Sequence, residues 1–120
     1  MRSWLLSLLA AAGLAQAQSV RILTHSSPLA GYQYHEGTAL WDQLQVGDVL
    51  MLVREAGNPH DANAVRVEWR GHLLGYLPRA ENRSVAAEMD RGTRLTARIG
   101  ELRPARNPWQ RLRVDIFVVL

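Results

Sequence analysis

Hydrophobic and polar positions alternate most clearly between Ala64 and Arg70. Val65, Val67 and Trp69 fall on one side and Arg66, Glu68 and Arg70 on the other, the period of a half-buried strand. Just upstream, Asn58-Pro59-His60-Asp61 is turn chemistry, because proline presets φ and Asn and Asp side chains bond nearby backbone. Gly71 supplies a tight reversal and His72–Leu77 returns as a second strand. Within it Gly75 marks a bulge or a close backbone approach, and Pro78 stops the ladder.

Weaker patterns flank this hairpin. Gln18 to His25, with Val20, Ile22 and Leu23, predicts a first strand that Ser26-Ser27-Pro28 should break. From Leu29 to Gly37 the rings of Tyr32, Tyr34 and His35 lie between glycines, which suits a strand end or loop. At period two Tyr32 and Tyr34 share a face, as a binding platform or as core, and His35 faces away. Leu40–Leu44 predicts a short helical turn. Val46-Gly47-Asp48 then reverses the chain into the apolar run Val49–Val53, whose length predicts a strand buried on both faces, antiparallel to 64–70. Arg79–Asp90 predicts a helix capped by Asn82 or Ser84, with Val85, Ala86 and Met89 on its inner face and Gly92 at its end. Thr93–Leu102 predicts another strand, with Leu95, Ala97 and Ile99 on one face. The stretch from Arg103 to Trp109 reads as a loop, and Leu112, Val114, Ile116 and Val118 predict a closing strand. The fold class is mainly β, a small closed or partly open barrel of five or six strands with one or two short helices.

At 120 residues there is room for one domain, and a domain of about 100 residues buries roughly two-thirds of its unfolded surface. Cysteine is absent, which excludes disulfides, thiolate metal sites and a cysteine nucleophile. All 14 basic residues are arginine, and the formal net charge is +3. Arginine suits bidentate phosphate recognition, although a GC-rich coding sequence gives the same bias. Met1-Arg2-Ser3, the apolar run Trp4–Leu14 and Ala15-Gln16-Ala17 together have the form of a secretory signal peptide. The run is too short for the roughly 20 residues that span a bilayer. The expected organisation is therefore a signal peptide at 1–17 and one domain at 18–120, monomeric, periplasmic or secreted, and free of the membrane after leader cleavage. A leader that is instead a retained helix would leave the protein in the cytoplasm.

Candidate catalytic chemistry is thin. His60-Asp61 with His25, His35 and His72 matches no metal-ligand spacing, and Asp61 suits a turn residue that bonds nearby amides. There is no Gly-rich phosphate loop, no His-Glu-x-x-His and no serine elbow. The expectation is a non-catalytic protein without a cofactor.

Three ordered segments resemble the HIRAN domain, a small β-rich module similar to the OB-fold. They are Gly31-Tyr32-Gln33-Tyr34-His35, Asn58-Pro59-His60-Asp61-Ala62-Asn63-Ala64-Val65 and Gly75-Tyr76-Leu77-Pro78-Arg79, and the resemblance spans about residues 20–102. It implies an OB-like β-barrel that grips the free 3′ end of a single DNA strand. Tyr34 would stack on a base, with His35 where eukaryotic members have a second Tyr. Asn58 and Asp61 would bond near the terminal hydroxyl and base, Tyr76 stands where His can occur, and Arg79 would meet phosphate. Gln33 departs from the family's basic residue, which weakens the expected phosphate contact. The implied partner is single-stranded DNA or a DNA 3′ end.

A DNA-end pocket behind a secretion leader would meet DNA only outside the cytoplasm, on incoming strands. The competing expectation is a secreted or periplasmic module that keeps the fold and binds another ligand or a protein partner. Cleavage after Ala17 is expected to leave Gln18 at the mature N-terminus. Mass spectrometry of the native N-terminus checks this, and intact Met1 on cytosolic protein would remove the secretory reading.

Overall fold

The computed structural model describes residues 20–120. The expected leader, residues 1–17, lies outside them. The alternation in Val65–Trp69 does what its period demands: this strand, β3, buries Val65, Val67 and Trp69. It pairs antiparallel with β2 (Val49–Arg54) on one side and β4 (His72–Tyr76) on the other. β1 (Arg21–Pro28), β5 (Leu95–Leu102) and β6 (Leu112–Val119) complete a six-stranded sheet of order β1-β6-β5-β2-β3-β4. The fold is mainly β and OB-like, as expected. Among the described residues there are two helices, a single turn, α1 (Gly37–Leu40), and the longer α2 (Arg79–Asp90). The 3₁₀ turns Tyr32–Tyr34, Trp41–Gln43 and Pro108–Gln110 lie in the connections.

The ladder does not continue between β1 and β4, yet the two edges meet at one point. Ala30, just past β1, exchanges both backbone hydrogen bonds with Tyr76 of β4, at 2.8 and 2.9 Å. Gly75 permits this approach, because a Cβ there would collide with the Ala30 carbonyl oxygen. The same residue borders the irregularity in the β3–β4 register, where Val67 faces Gly75 and Glu68 faces Leu73. Both readings of an interior glycine therefore apply at Gly75. At the hairpin tip Arg70 and Gly71 both have positive φ, 48° and 83°, the pattern of a type I′ turn matched to strand twist.

Inside, Leu29, Tyr32, Leu50, Trp69, Leu74 and Ile116 join Val85 and Ala86 of α2 in one buried cluster. The Trp69 indole N–H donates to Asp48 at 3.0 Å, so its polar edge is satisfied as burial requires.

Several expectations change. β1 runs through Ser26-Ser27-Pro28 instead of ending before it. Among the described residues it is an edge strand paired only with β6, and proline at a strand end on an edge removes no ladder bond. Val20, Ile22 and Leu23 are exposed. β2 is not buried on both faces, since Val49 and Met51 are 60% and 61% exposed while Leu50 between them is buried. The core lies on one side of the sheet, so period two turns them outward. Tyr32 and Tyr34 do not share a face: in a 3₁₀ turn the residue two places on swings to another side. Tyr32 is buried and its hydroxyl donates to the Gly37 carbonyl at 2.6 Å, whereas Tyr34 is 80% exposed. Neither Asn82 nor Ser84 caps α2. Pro78 takes the N-cap position with no side-chain cap, and its fixed φ starts the helix at the next residue.

Val67→Asp is expected to unfold the domain, because an unpaired charge at this fully buried site costs several kcal/mol against a total stability of roughly 5–15. Thermal melting by circular dichroism tests it, and an unchanged Tm would contradict the packing of β3.

Candidate functional site

The loop between β2 and β3 owes its shape to its own side chains. Glu55 N–H donates to the Ala64 carbonyl at 3.0 Å and closes the base of the loop. The Asn58 amide oxygen accepts from the N–H groups of His60 and Asp61, at 2.9 and 3.2 Å, and its amide nitrogen donates to Glu55 at 3.0 Å. Asp61 accepts from Asn63 N–H through one oxygen, at 2.9 Å, and from the Asn82 side chain through the other, at 2.8 Å. Asn82 is buried inside α2, so this second bond pins the loop to the helix. The Asn63 N–H holds the Asp61 carboxyl below its ordinary range, with Asn82 and then the charges of Arg79 and Arg54 adding to the effect. Asp61 is thus an ionised, acceptor-only group at neutral pH.

Two elements face this loop. Tyr76, the last residue of β4, donates its hydroxyl to both oxygens of Glu55 at 3.1 Å. Burial, followed by the bond to Glu55 and its charge, raises the Tyr76 pKa, so the phenol stays neutral. The His35 ring lies 5.9 Å from that of Tyr76, tilted against it. Arg79 opens α2 and donates to the His60 carbonyl, with its Nε 3.9 Å from Asp61. Pro78 offers no side-chain cap, so the first N–H groups of the helix, including those of Arg79 and Ala80, lack intrahelical partners.

These residues enclose a groove of about 660 Å³, lined by Asn58, Asp61, Tyr76 and Arg79 together with Ala30, Pro78, Ala80 and Trp109. Four of the six residues singled out from sequence therefore converge. His35 stands behind Tyr76, and Tyr34 is not among the lining residues but projects into solvent. Trp109 was missed. The sequence around it reads as loop, but Pro108–Gln110 forms a 3₁₀ turn whose Asn107 side chain accepts from Trp109 N–H at 3.1 Å. The indole is held 46% exposed against the groove. Asn-Pro directly before an aromatic is a turn-initiating signal that could have drawn attention to it.

Other chemistry is sparse. Among the described residues no group of three His, Cys, Asp or Glu side chains is placed to hold a metal ion, and no helix is long and apolar enough to cross a membrane. Ser84 lies 3.0 Å from His25 Nε2, but the other ring nitrogen meets the Thr24 hydroxyl instead of a carboxylate. The pair lacks the third group that orients a nucleophile–base couple.

A family model described as HIRAN domain matches residues 22–120, extending past the 20–102 suggested by the motifs to the closing strand. The fold is similar to a crystal structure of a protein from Lactobacillus plantarum, with TM-score 0.72 and 29% identity over 85% of this chain and 98% of that one. It is also similar to the crystal structure of the HIRAN domain of human HLTF, with TM-score 0.63 and 20% identity over 82% of this chain and 78% of that one. No curated protein is similar enough to match.

Asp61 gives the site a pH signature. Its folded pKa lies below the ordinary 3.8, so its contribution to stability is complete above that value and is lost as pH falls through the folded pKa. Asp61→Asn should be less stable than the parent at pH 7, with the gap narrowing as pH drops below about 4. Urea unfolding at pH 7 and pH 3 measures both gaps. Equal gaps would show that ionisation of Asp61 plays no part in holding the loop.

Proposed function

We propose, from the premise that the chain belongs to the HIRAN domain family, that it is a non-catalytic DNA-binding module that receives the free 3′ end of a single strand in this groove. The observation that carries the reading is the convergence of Asn58 and Asp61 from the β2–β3 loop with Tyr76 and Arg79 from the end of β4 and the start of α2, on one groove walled by Trp109. Each side chain offers something a strand end needs. Trp109 presents a stacking surface, and base–aromatic stacking is tolerant of sequence. Arg79 has five N–H donors and stands at the uncapped N-terminus of α2, where helix dipole and free amides favour a phosphate. Ionised Asp61 can accept the hydrogen of a terminal 3′ hydroxyl. Asn58 spends its amide oxygen on the loop, so it shapes the pocket and keeps one amide proton for the ligand. Tyr34, exposed outside the groove, would meet a base further along the strand.

Fluorescence anisotropy with strands bearing a 3′ hydroxyl or a 3′ phosphate tests this. Free ends should bind more tightly, and Asp61→Ala should erase the preference. Trp109→Ala should weaken binding roughly ten- to a hundredfold, the size of about 1–3 kcal/mol of stacking, with Tyr34→Ala costing less. Arg79→Ala should lower the salt slope by about 0.7, one phosphate contact on a single strand. Equal affinity for the two ends would defeat end recognition. No binding even at low salt would defeat the DNA reading and favour a module that uses the groove for another ligand or a protein partner.

A further inference from the structure

The segment joining β5 to β6 carries a charge pattern that the groove does not use. Residues 101–113 hold four arginines, Arg103, Arg106, Arg111 and Arg113, against the single acid Glu101. That local excess of three equals the formal net charge of the whole chain, +3. The segment is also shaped. Arg103 N–H donates to the Arg111 carbonyl at 2.8 Å, and the Arg111 side chain donates to the Ala105 carbonyl at 2.7 Å. The one acid is taken by one cation: Glu101 bonds Arg103 at 2.6 Å, whereas Arg113, opposite it in the β5–β6 register, donates to the Ser26 hydroxyl at 3.2 Å and the Ser26 carbonyl at 2.7 Å. Among the described residues Arg106, Arg111 and Arg113 have no carboxylate partner.

Its position matters as much as its charge. Trp109, which walls the groove, also lines an adjoining depression of about 210 Å³ with Arg103, Arg113, Gln110 and the one acid, Glu101. On the other flank of the loop Arg106 and Arg111 line a second depression beside Trp41. The stacking surface is thus the wall between the groove and a cationic area. Two carboxylates, Glu55 and Glu68, crowd the single cation Arg66, whereas here one acid, Glu101, bonds one of four arginines. Arginine in such a setting offers donors to a polyanion at small desolvation cost.

We propose that this segment continues the groove as a phosphate track, so that nucleotides leading up to the bound end cross Trp109, meet Arg103 and pass over the loop to Arg106 on its other flank. The inference rests on the single-strand reading of the groove and adds a length requirement to it. A strand of three nucleotides would fill only the groove, whereas a strand of twelve would reach the track.

The test compares the full chain with an Arg103→Gln/Arg106→Gln double variant on 3-mer and 12-mer strands with free 3′ hydroxyls, across a salt series. Both side chains are exposed, and a matching Tm confirms that the variant is folded. The variant should keep the parent's affinity for the 3-mer. For the 12-mer its salt slope should fall by about 1.4, two phosphate contacts at about 0.7 each, which corresponds to a roughly 25-fold loss at 0.1 M salt. An unchanged 12-mer slope, or an equal loss on both lengths, overturns the track while leaving the groove reading intact. If the parent binds neither strand at low salt, the groove reading itself has failed.

Discussion

The contact between Ala30 and β4 is the constraint from which the site follows. A six-stranded sheet of this order has two free edges, and the chain leaving β1 brings them together by exchanging two backbone bonds with Tyr76. That exchange requires the Ala30 carbonyl to pass over a residue without a side chain, which is the role of Gly75. Once the bridge is made, the turn that follows is carried under β4: Tyr32 enters the core, and His35 reaches the Tyr76 ring. Tyr76 is thereby held from two directions, by its backbone pairing and by Glu55 on its hydroxyl. The groove inherits that rigidity along one wall.

The opposite wall is a loop that would have little reason to hold its shape without polar side chains. Asn58 and Asp61 act as internal scaffolding, each bonding backbone amides within a few residues, and Asp61 reaches further to the buried Asn82. A buried amide without a partner costs about 1–3 kcal/mol, so the buried Asn82 also favours the docked loop. The arrangement leaves an ionised carboxylate and an arginine side by side at a helix start. A helix N-terminus prefers a negative neighbour, and Arg79 supplies the opposite sign. Asp61 beside it and Glu81 in the first turn offset that charge locally.

Arginine is the only source of positive side-chain charge apart from histidine, and its placement separates two roles. Arg54 and Arg66 are tied to Asp90, Glu55 and Glu68 and serve the structure. In the β5–β6 segment Arg103 and Arg113 lie beside the exposed Trp109, and Arg106 and Arg111, on the other flank of the loop, have no acid partner among the described residues. Small net charge alone is uninformative about nucleic acid, because what a polyanion meets is the local distribution.

Periodicity and turn chemistry, both local properties, were enough to determine most of the elements. The alternation at Val65, Val67 and Trp69, the positions of Gly71 and Gly75, and the helix from Arg79 to Asp90 could be read because each depends on residues close in sequence. Two of the three motifs likewise marked four residues that meet in the groove. What only the tertiary structure decided were matters of neighbourhood. An edge position let β1 continue through Pro28, and a one-sided core turned Val49 and Met51 to solvent. A 3₁₀ turn sent Tyr32 and Tyr34 in different directions, and docking against a loop turned Asn82 from a cap into an anchor. Trp109 joined the groove for the same reason: a residue's place in a site depends on which distant segments fold against it, and no local pattern records that.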